Sequence, residues 1–348
     1  MRRGLIARSP VELPDAVFDA RLDRVRVAMR AAKLDALAIY TNNTRTAGVS
    51  WLVGFVPYWS EALLVVPRDG ASYLVAALTF RVKTWIERVS RIGEVLHNPR
   101  VGLKAAQQIA SVQKNAAVGV VDFDGLPAGI ADDLREGGPS LVLSEAGPQF
   151  AALRAKADPA EIALAAKAAA IAHRALVQAR CGSLNAMIAA AEQQARLDGA
   201  EEIYVAAAAD LARDLRFMRI EGEAVSGKSF ALRATVAYKG TWVRLVRTFC
   251  DADVEHKALA QFAQAVAQLP SDRGFAGLTS WVVEGCRTTQ PLEPLMGSRF
   301  GVAIRPSSGA LVSVQGIVMI VGHAVLVGAP ALLGAQGEAA SVLINPSW

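Results

Sequence analysis

Apolar positions early in the chain return with helical spacing. Between Phe18 and Ala32, Leu22, Val25 and Met29 share one face, and charged residues take the others. The run LDALAIY that follows (residues 34–40) is short and apolar and predicts a strand. ALLVVPRDGASYLVAA (residues 62–77) predicts two strands folded about Arg68, Asp69 and Gly70. Helical patterns recur in RVKTWIERVS, LKAAQQIASV and PAGIADDLRE, and strand patterns in AAVGVVDF and SLVLSE. This alternation predicts an α/β layer domain over residues 1–150.

A second domain is expected over residues 151–348. Asp158, Pro159 and Glu161 carry the signature of a capped helix start: an N-cap acid, a proline in the first turn and a glutamate closing the capping box. The helix is expected to run to about Arg180 and stop at Gly182, after which Ser183 caps a second helix ending at Gly199. Two helices followed by strand-rich sequence predict an α+β arrangement. The stretch ALRATVAYKGTWVRLVRTF (residues 231–249) reads as a hairpin with Lys239 and Gly240 as its two-residue turn. That turn sets Tyr238 opposite Thr241 and Arg233 opposite Val246. Arg233, Thr235, Trp242 and Arg244 then share one face, and Leu232, Val236, Val243, Leu245 and Phe249 form the core side. After the hairpin, Asp253 is the expected N-cap of a helix in DADVEHKALAQFAQAVAQL, and the neighbouring acids suit a first helical turn.

From Pro306 to Gly337 no Asp, Glu, Lys or Arg occurs, which meets the length of a membrane span. Glycines at 309, 316, 322, 328 and 334 break that stretch into short β-branched pieces, so buried strands separated by turns or bulges are expected instead. Hydrophobic residues at 53% and charged residues at 20% exclude a disordered chain. The net charge is +5, but the basic residues are scattered without interleaved aromatics, so no nucleic-acid partner and no membrane are expected. Cys181, Cys250 and Cys286 lie far apart without ligand or CxxC spacing, which points to free thiols in a reducing cytoplasm. His173 lies among helical alanines and reads as a packing residue.

Three stretches in order resemble the creatinase/prolidase/methionine-aminopeptidase family, whose C-terminal domain has the pita-bread fold. RLDRVRVAMRAAKLDALAIYTNNTRTAGVSWLVGF is similar to the start of its N-terminal domain. LRAKADPAEIALAAKAAAIAHRAL resembles its entry into the catalytic domain, and YKGTWVRLVRTF its ligand hairpin. The resemblance implies an α/β creatinase-like domain followed by an α+β pita-bread domain, a homodimer, and two aspartates on the hairpin that hold a pair of divalent metals. Anchored on Arg247, Thr248 and Phe249, those positions fall on Arg233 and Arg244, both arginine. The family's His-Gly region corresponds to GSRFGVAI, and the region of its later glutamates offers only His323. Guanidinium groups cannot ligate metal, so no metal and no cofactor are expected. The histidine that metal-free creatinase uses has no counterpart in IEGEAVSGKSFALRA.

The arginines admit two readings. In one, Arg233 and Arg244 bind a small anionic molecule or peptide, with Trp242 and Thr235 lining the site and Glu284 or Glu293 balancing the charge. In the other, long arginines fill a vacated cleft and reach solvent, without a ligand. Arg247 matches a family-typical arginine and is expected to be structural. The function expected from the resemblance is that of a pseudoenzyme lacking peptidase activity, which binds a small anionic ligand, a peptide or a partner protein in the former active-site cleft. One alternative is a metal-independent hydrolase or lyase acting on a C–N bond, with His323 or Cys286 as its reactive group. Another is a conventional Xaa-Pro aminopeptidase whose ligands lie elsewhere.

Overall fold

The computed structural model describes residues 9–57, 60–179, 182–269, 278–286, 293–297, 308–334 and 339–344. The chain forms two compact units, Met1–Arg154 and Ala155–Trp348.

The N-terminal unit is built on six strands: β1 (Ala36–Thr41), β2 (Ala62–Pro67), β3 (Tyr73–Ala76), β4 (Glu94–His97), β5 (Ala117–Val121) and β6 (Val142–Glu145). Their order is β4-β3-β2-β1-β5-β6. The β1–β2 and β2–β3 pairs are antiparallel, and the other neighbours are parallel. Alternation along β1 feeds two cores. Leu37 and Ile39 pack with Leu22, Val25 and Met29 of α1 (Asp15–Ala31) and with Val49 and Leu52 of α2 (Ala47–Val53). Ala36, Ala38 and Tyr40 pack on the opposite face with α4 (Val101–Val112) and α5 (Ala128–Gly137). A sheet buried on both faces is the α/β layer that the sequence predicts. Helices α3 (Lys83–Val89) and α6 (Gly147–Ala155) complete the unit's regular elements. The sequence reading lacked α2, a seven-residue helix that ends at Gly54 in the left-handed conformation, φ 75°.

In the second unit, α7 (Pro159–Gln178) starts at the expected capping box. Asp158 accepts from the Glu161 N–H at 3.0 Å, and Glu161 accepts from the Asp158 N–H at 3.0 Å. Ser183 caps α8 (Leu184–Leu197). The sheet comprises β7 (Glu202–Ala208), β8 (Phe230–Tyr238), β9 (Thr241–Phe249), β10 (Leu278–Gly285), β11 (Glu293–Gly297), β12 (Leu311–Ile320), β13 (His323–Leu332) and β14 (Ser341–Val342). Its order is β11-β10-β12-β13-β9-β8-β7, with β14 on β13, and every pairing is antiparallel. An alanine-rich stripe of α7 (Ala165, Ala168, Ala172 and Ala175 among others) is fully buried, and the helix packs against β8 and β9.

Two local expectations are corrected. The glycine-punctuated segment is two ten-residue strands, and Gly316 and Gly328 lie inside them rather than at turns. They are glycine because the strands crowd there: a Cβ at Gly316 would stand 2.9 Å from the Ser280 carbonyl oxygen. The cap of α9 (Ala252–Ala267) is Asp251 rather than Asp253, since the Asp251 carboxylate accepts from the Asp253 and Val254 N–H groups. No helix among the described residues is long and apolar enough to cross a membrane.

Candidate anion site on the β8–β9 face

Lys239 and Gly240 both take positive φ, 45° and 78°, the combination that a two-residue hairpin turn needs. Glu201 pins the turn by accepting the Gly240 N–H at 3.2 Å. From there the β8–β9 register runs unbroken from Tyr238↔Thr241 to Phe230↔Phe249. It pairs Thr235 with Arg244 and Arg233 with Val246, so both arginines share a face with Trp242, as the turn predicts. On the opposite face Leu232, Ala234, Val236, Val243 and Leu245 are fully buried.

Register across the sheet arranges the site face in rows. One row runs Tyr204–Thr235–Arg244, with Ser313 and Glu284 paired two strands further on. The next runs Ala206–Arg233–Val246–Gly328–Gln315–Val282.

The two arginines differ in their surroundings. Arg244 is fully engaged along one edge. Its Nε donates to Thr235 Oγ1 at 3.2 Å and its Nη1 to Glu284 Oε2. Its backbone N–H donates to Ser313 Oγ at 3.0 Å. On β13, two residues beyond the Gly328–Val246 pairing, stands Pro330, which has no N–H to extend the ladder. The Arg244–Glu284 pair is enclosed, with side-chain exposures of 13% and 8%. Burial pushes the Glu284 carboxyl up, and Arg244 and Arg233 pull it back in part.

Arg233 has no carboxylate within ion-pair distance among the described residues. The ring of Phe217 covers its guanidinium plane at 4.7 Å from the ring centroid, and its Nε is buried without a hydrogen-bond partner. Burial and the Arg244 charge lower its pKa to about 10, against a smaller opposing pull from Glu284. On the same face, the Gln315 Oε1 is also buried without a partner.

The remaining expected site residues divide. Thr235 is buried, and its hydroxyl orients Arg244. Trp242 is buried and stacks on Tyr204 at 6.0 Å between centroids and 11° between planes, so one ring face is taken by protein. Cys286 does belong to the cluster, with Sγ 3.7 Å from Ser313 Oγ, and burial pushes its thiol up to about 12. His323 does not: it opens β13 beside the exposed turn at Val321 and Gly322, seven residues along the strand from Pro330. Arg247 points to the other face, where it donates to Glu255 at 3.3 Å and to the Leu176 carbonyl at 3.2 Å. Most of GSRFGVAI and the Glu293 side chain lie outside the described residues. Phe217, Ser313 and Gln315 were not anticipated: Phe217 arrives on the loop between β7 and β8, and the register of strands distant in sequence brings Ser313 and Gln315 to this face.

The described residues do not fit the pair of divalent metals that the resemblance implies. On the correspondence that the resemblance implies, guanidinium groups stand at the two hairpin ligand positions, and among the described residues no cluster of three or more His, Cys, Asp and Glu is placed to hold a metal. What the face offers is fixed positive charge, one guanidinium of it without a carboxylate partner among the described residues.

Residues 21–156 match the Creatinase/Prolidase N-terminal domain family. No curated protein matches the sequence. Among solved structures, the prolidase of Pyrococcus horikoshii OT3 is similar at a TM-score of 0.68 and 13% identity, over 93% of this chain and 97% of that one. The Xaa-Pro dipeptidase of Bacillus anthracis gives 0.68 and 16%, over 94% and 97%. The dipeptidase PepE of Mycobacterium ulcerans gives 0.66 and 18%, over 94% and 96%. The chain therefore carries a creatinase/prolidase N-terminal domain and has, over nearly its whole length, the two-domain pita-bread fold of the prolidases.

Proposed function

We propose that this chain is a metal-free, non-peptidase homologue of the prolidases that binds a small anionic ligand on the Arg233/Arg244 face. One observation carries the reading: Arg233 is a largely buried guanidinium without a carboxylate partner among the described residues, beside an Arg244 already held by Glu284. A buried cation is stable only when paired, and a bound anion supplies the pair. Guanidinium also suits carboxylate and phosphate geometry. Thermal unfolding with a panel of carboxylates and phosphates tests it, since a ligand of the native state must raise the Tm. A panel without any shift removes the reading.

Conventional Xaa-Pro peptidase activity is the second reading, favoured by likeness to prolidases over more than nine-tenths of the chain. Metal analysis, with Xaa-Pro dipeptide hydrolysis in added Mn²⁺ or Co²⁺, separates the two. Stoichiometric metal with turnover favours the peptidase. For C–N chemistry without metal, the position of His323 and the raised pKa of Cys286 favour neither as base or nucleophile. The homodimer implied by the resemblance belongs to this proposal as well, and light scattering on the purified chain checks it.

A further inference from the structure

Strand β7 ends at Ala208 and β8 begins at Phe230, so residues 209–229 join two neighbouring antiparallel strands without a helix or strand of their own. A tight turn is enough for such a connection, and irregular loops beyond about 12–15 residues in a compact domain are usually lids or binding loops. The ends of this one are tied at a neck. The Leu211 N–H donates to the Ser229 carbonyl at 3.0 Å, and the Gly227 N–H to the Ala209 carbonyl at 2.8 Å. Gly227 is glycine for that reason, since a Cβ there would stand 2.5 Å from the Asp210 carboxylate. A closed neck makes the loop an Ω-shaped flap that can move as one piece.

Beyond the neck, the flap is lightly held. Leu215 and Phe217, both only partly buried, pack on the apolar cluster that contains Val246 and Leu326, and Phe217 lies over the Arg233 guanidinium. Met218 exchanges two backbone hydrogen bonds with Ala207 on β7, each at 2.9 Å. From the first turn of α8, Asn185 clasps the far side: its Nδ2 donates to the Gly222 carbonyl at 2.7 Å, and its Oδ1 accepts the Ala224 N–H at 3.2 Å. Those bonds face solvent, and Met218 and Val225 are exposed. A segment that buries so little surface opens at low cost, while the packed hairpin beneath it stays folded.

On the reading that this face binds an anion, we propose that residues 209–229 are its lid, with Phe217 as the seal on Arg233 and Asn185 as the latch. The face takes up its ligand from the lifted state, so the apparent affinity is reduced by the fraction of chains in which the lid is up. A buried Arg233 without a carboxylate is then the closed state of a gated site. Lifting breaks the Met218–Ala207 pair and the Asn185 clasp together and leaves the neck intact.

Hydrogen–deuterium exchange resolved to single amides, on the full chain without ligand, tests the lid. Asn185→Ala removes the clasp and leaves the Ser183 cap of α8 in place. The Met218 amide, which Asn185 does not touch, should then exchange about five-fold faster, while the Leu211 and Gly227 amides at the neck keep the parent rate. Asn185→Asp keeps the acceptor for Ala224 but loses the donor to Gly222, and should fall between the two. Calorimetric titration with inorganic phosphate and with acetate tests the gate. Whichever of them binds the parent should bind Asn185→Ala more tightly by the factor seen in exchange. If Met218 keeps the parent rate, or the neck amides quicken with it, no lid moves as a unit, and this inference falls while the anion reading stands. An unchanged affinity beside a quickened Met218 also removes the gate alone. If neither anion binds either chain, the gate and the anion reading fall together.

Discussion

The Arg244–Glu284 pair allows a sharp test of the site's electrostatics. Glu284→Gln keeps the size and the acceptor but removes the charge, leaving two neighbouring guanidiniums, Arg233 and Arg244, without a compensating carboxylate. With side-chain exposures of 13% and 8%, solvent screening is small. Breaking an enclosed pair of this kind costs about 3 kcal/mol. For a unit the size of Ala155–Trp348, that corresponds to a fall in Tm of roughly 6–12 °C. The double variant Arg244→Met/Glu284→Leu removes both charges and should lose far less than Arg244→Met and Glu284→Leu do singly when added together, because an apolar pair of similar volume avoids desolvating two ions. Urea unfolding of the parent, Arg244→Met, Glu284→Leu and the double variant, followed by tryptophan fluorescence, gives the coupling energy, expected above about 2 kcal/mol. Additive single effects, or a Glu284→Gln cost below about 1 kcal/mol, would mean that water reaches the pair, and the argument from an enclosed, unbalanced charge would fail.

Three further outcomes are expected. Val321 is β-branched, 87% exposed and at φ 47°, so Val321→Asn, which suits a left-handed turn position before Gly322, should stabilise by about 1 kcal/mol in thermal melts; a loss would refute strain at the turn. Gly328→Ala puts a Cβ 2.9 Å from Val246 Cγ2 and 3.1 Å from the Val314 carbonyl oxygen, and should cost about 1–3 kcal/mol in urea, with no cost expected only if the sheet opens there. Burial raises the Glu201 carboxyl above 4.5, against the Gly240 N–H and Lys239, so its stabilising share is full below that value and is lost as pH rises through the raised pKa. Glu201→Gln should therefore match the parent's stability near pH 4 and flatten its decline at higher pH. A parallel pH profile for the two chains would contradict the shift.

What was legible in the sequence followed local rules. The Asp158–Glu161 box, the Ser183 cap and the Lys239–Gly240 turn each depend on residues within a few positions, and each stands where pattern and stereochemistry put it. The turn in turn fixed which residues share the hairpin face, since strand alternation leaves one parity once a register is set. Failures came where several local answers were equivalent. Asp251 and Asp253 both suit an N-cap, and only the chain's path decides between them. Gly316 and Gly328 read as breaks because glycine marks turns and close approach alike, and close approach depends on Leu278, Ser280 and Val246 from other strands. The site was half legible for the same reason. Arg233 and Arg244 lie on one hairpin, whereas Glu284, Ser313 and Gln315 reach them across strands that follow a long intervening segment.

Parity on this hairpin separates the residues that hold the fold from those that give it chemistry. Leu232, Val236, Val243 and Leu245 are committed to the packed side, and Arg247 joins them through Glu255 and the Leu176 carbonyl. Arg233 and Arg244 occupy the opposite side, where a change of residue leaves the packing against α7 untouched. A shared fold at 13–18% identity is what such a division permits, and it says nothing about the sign of the charge on the site face. Likeness to prolidases therefore bears on the scaffold alone. The chemistry has to be read from the side chains of the site face, where Arg233 and Arg244 stand beside Glu284.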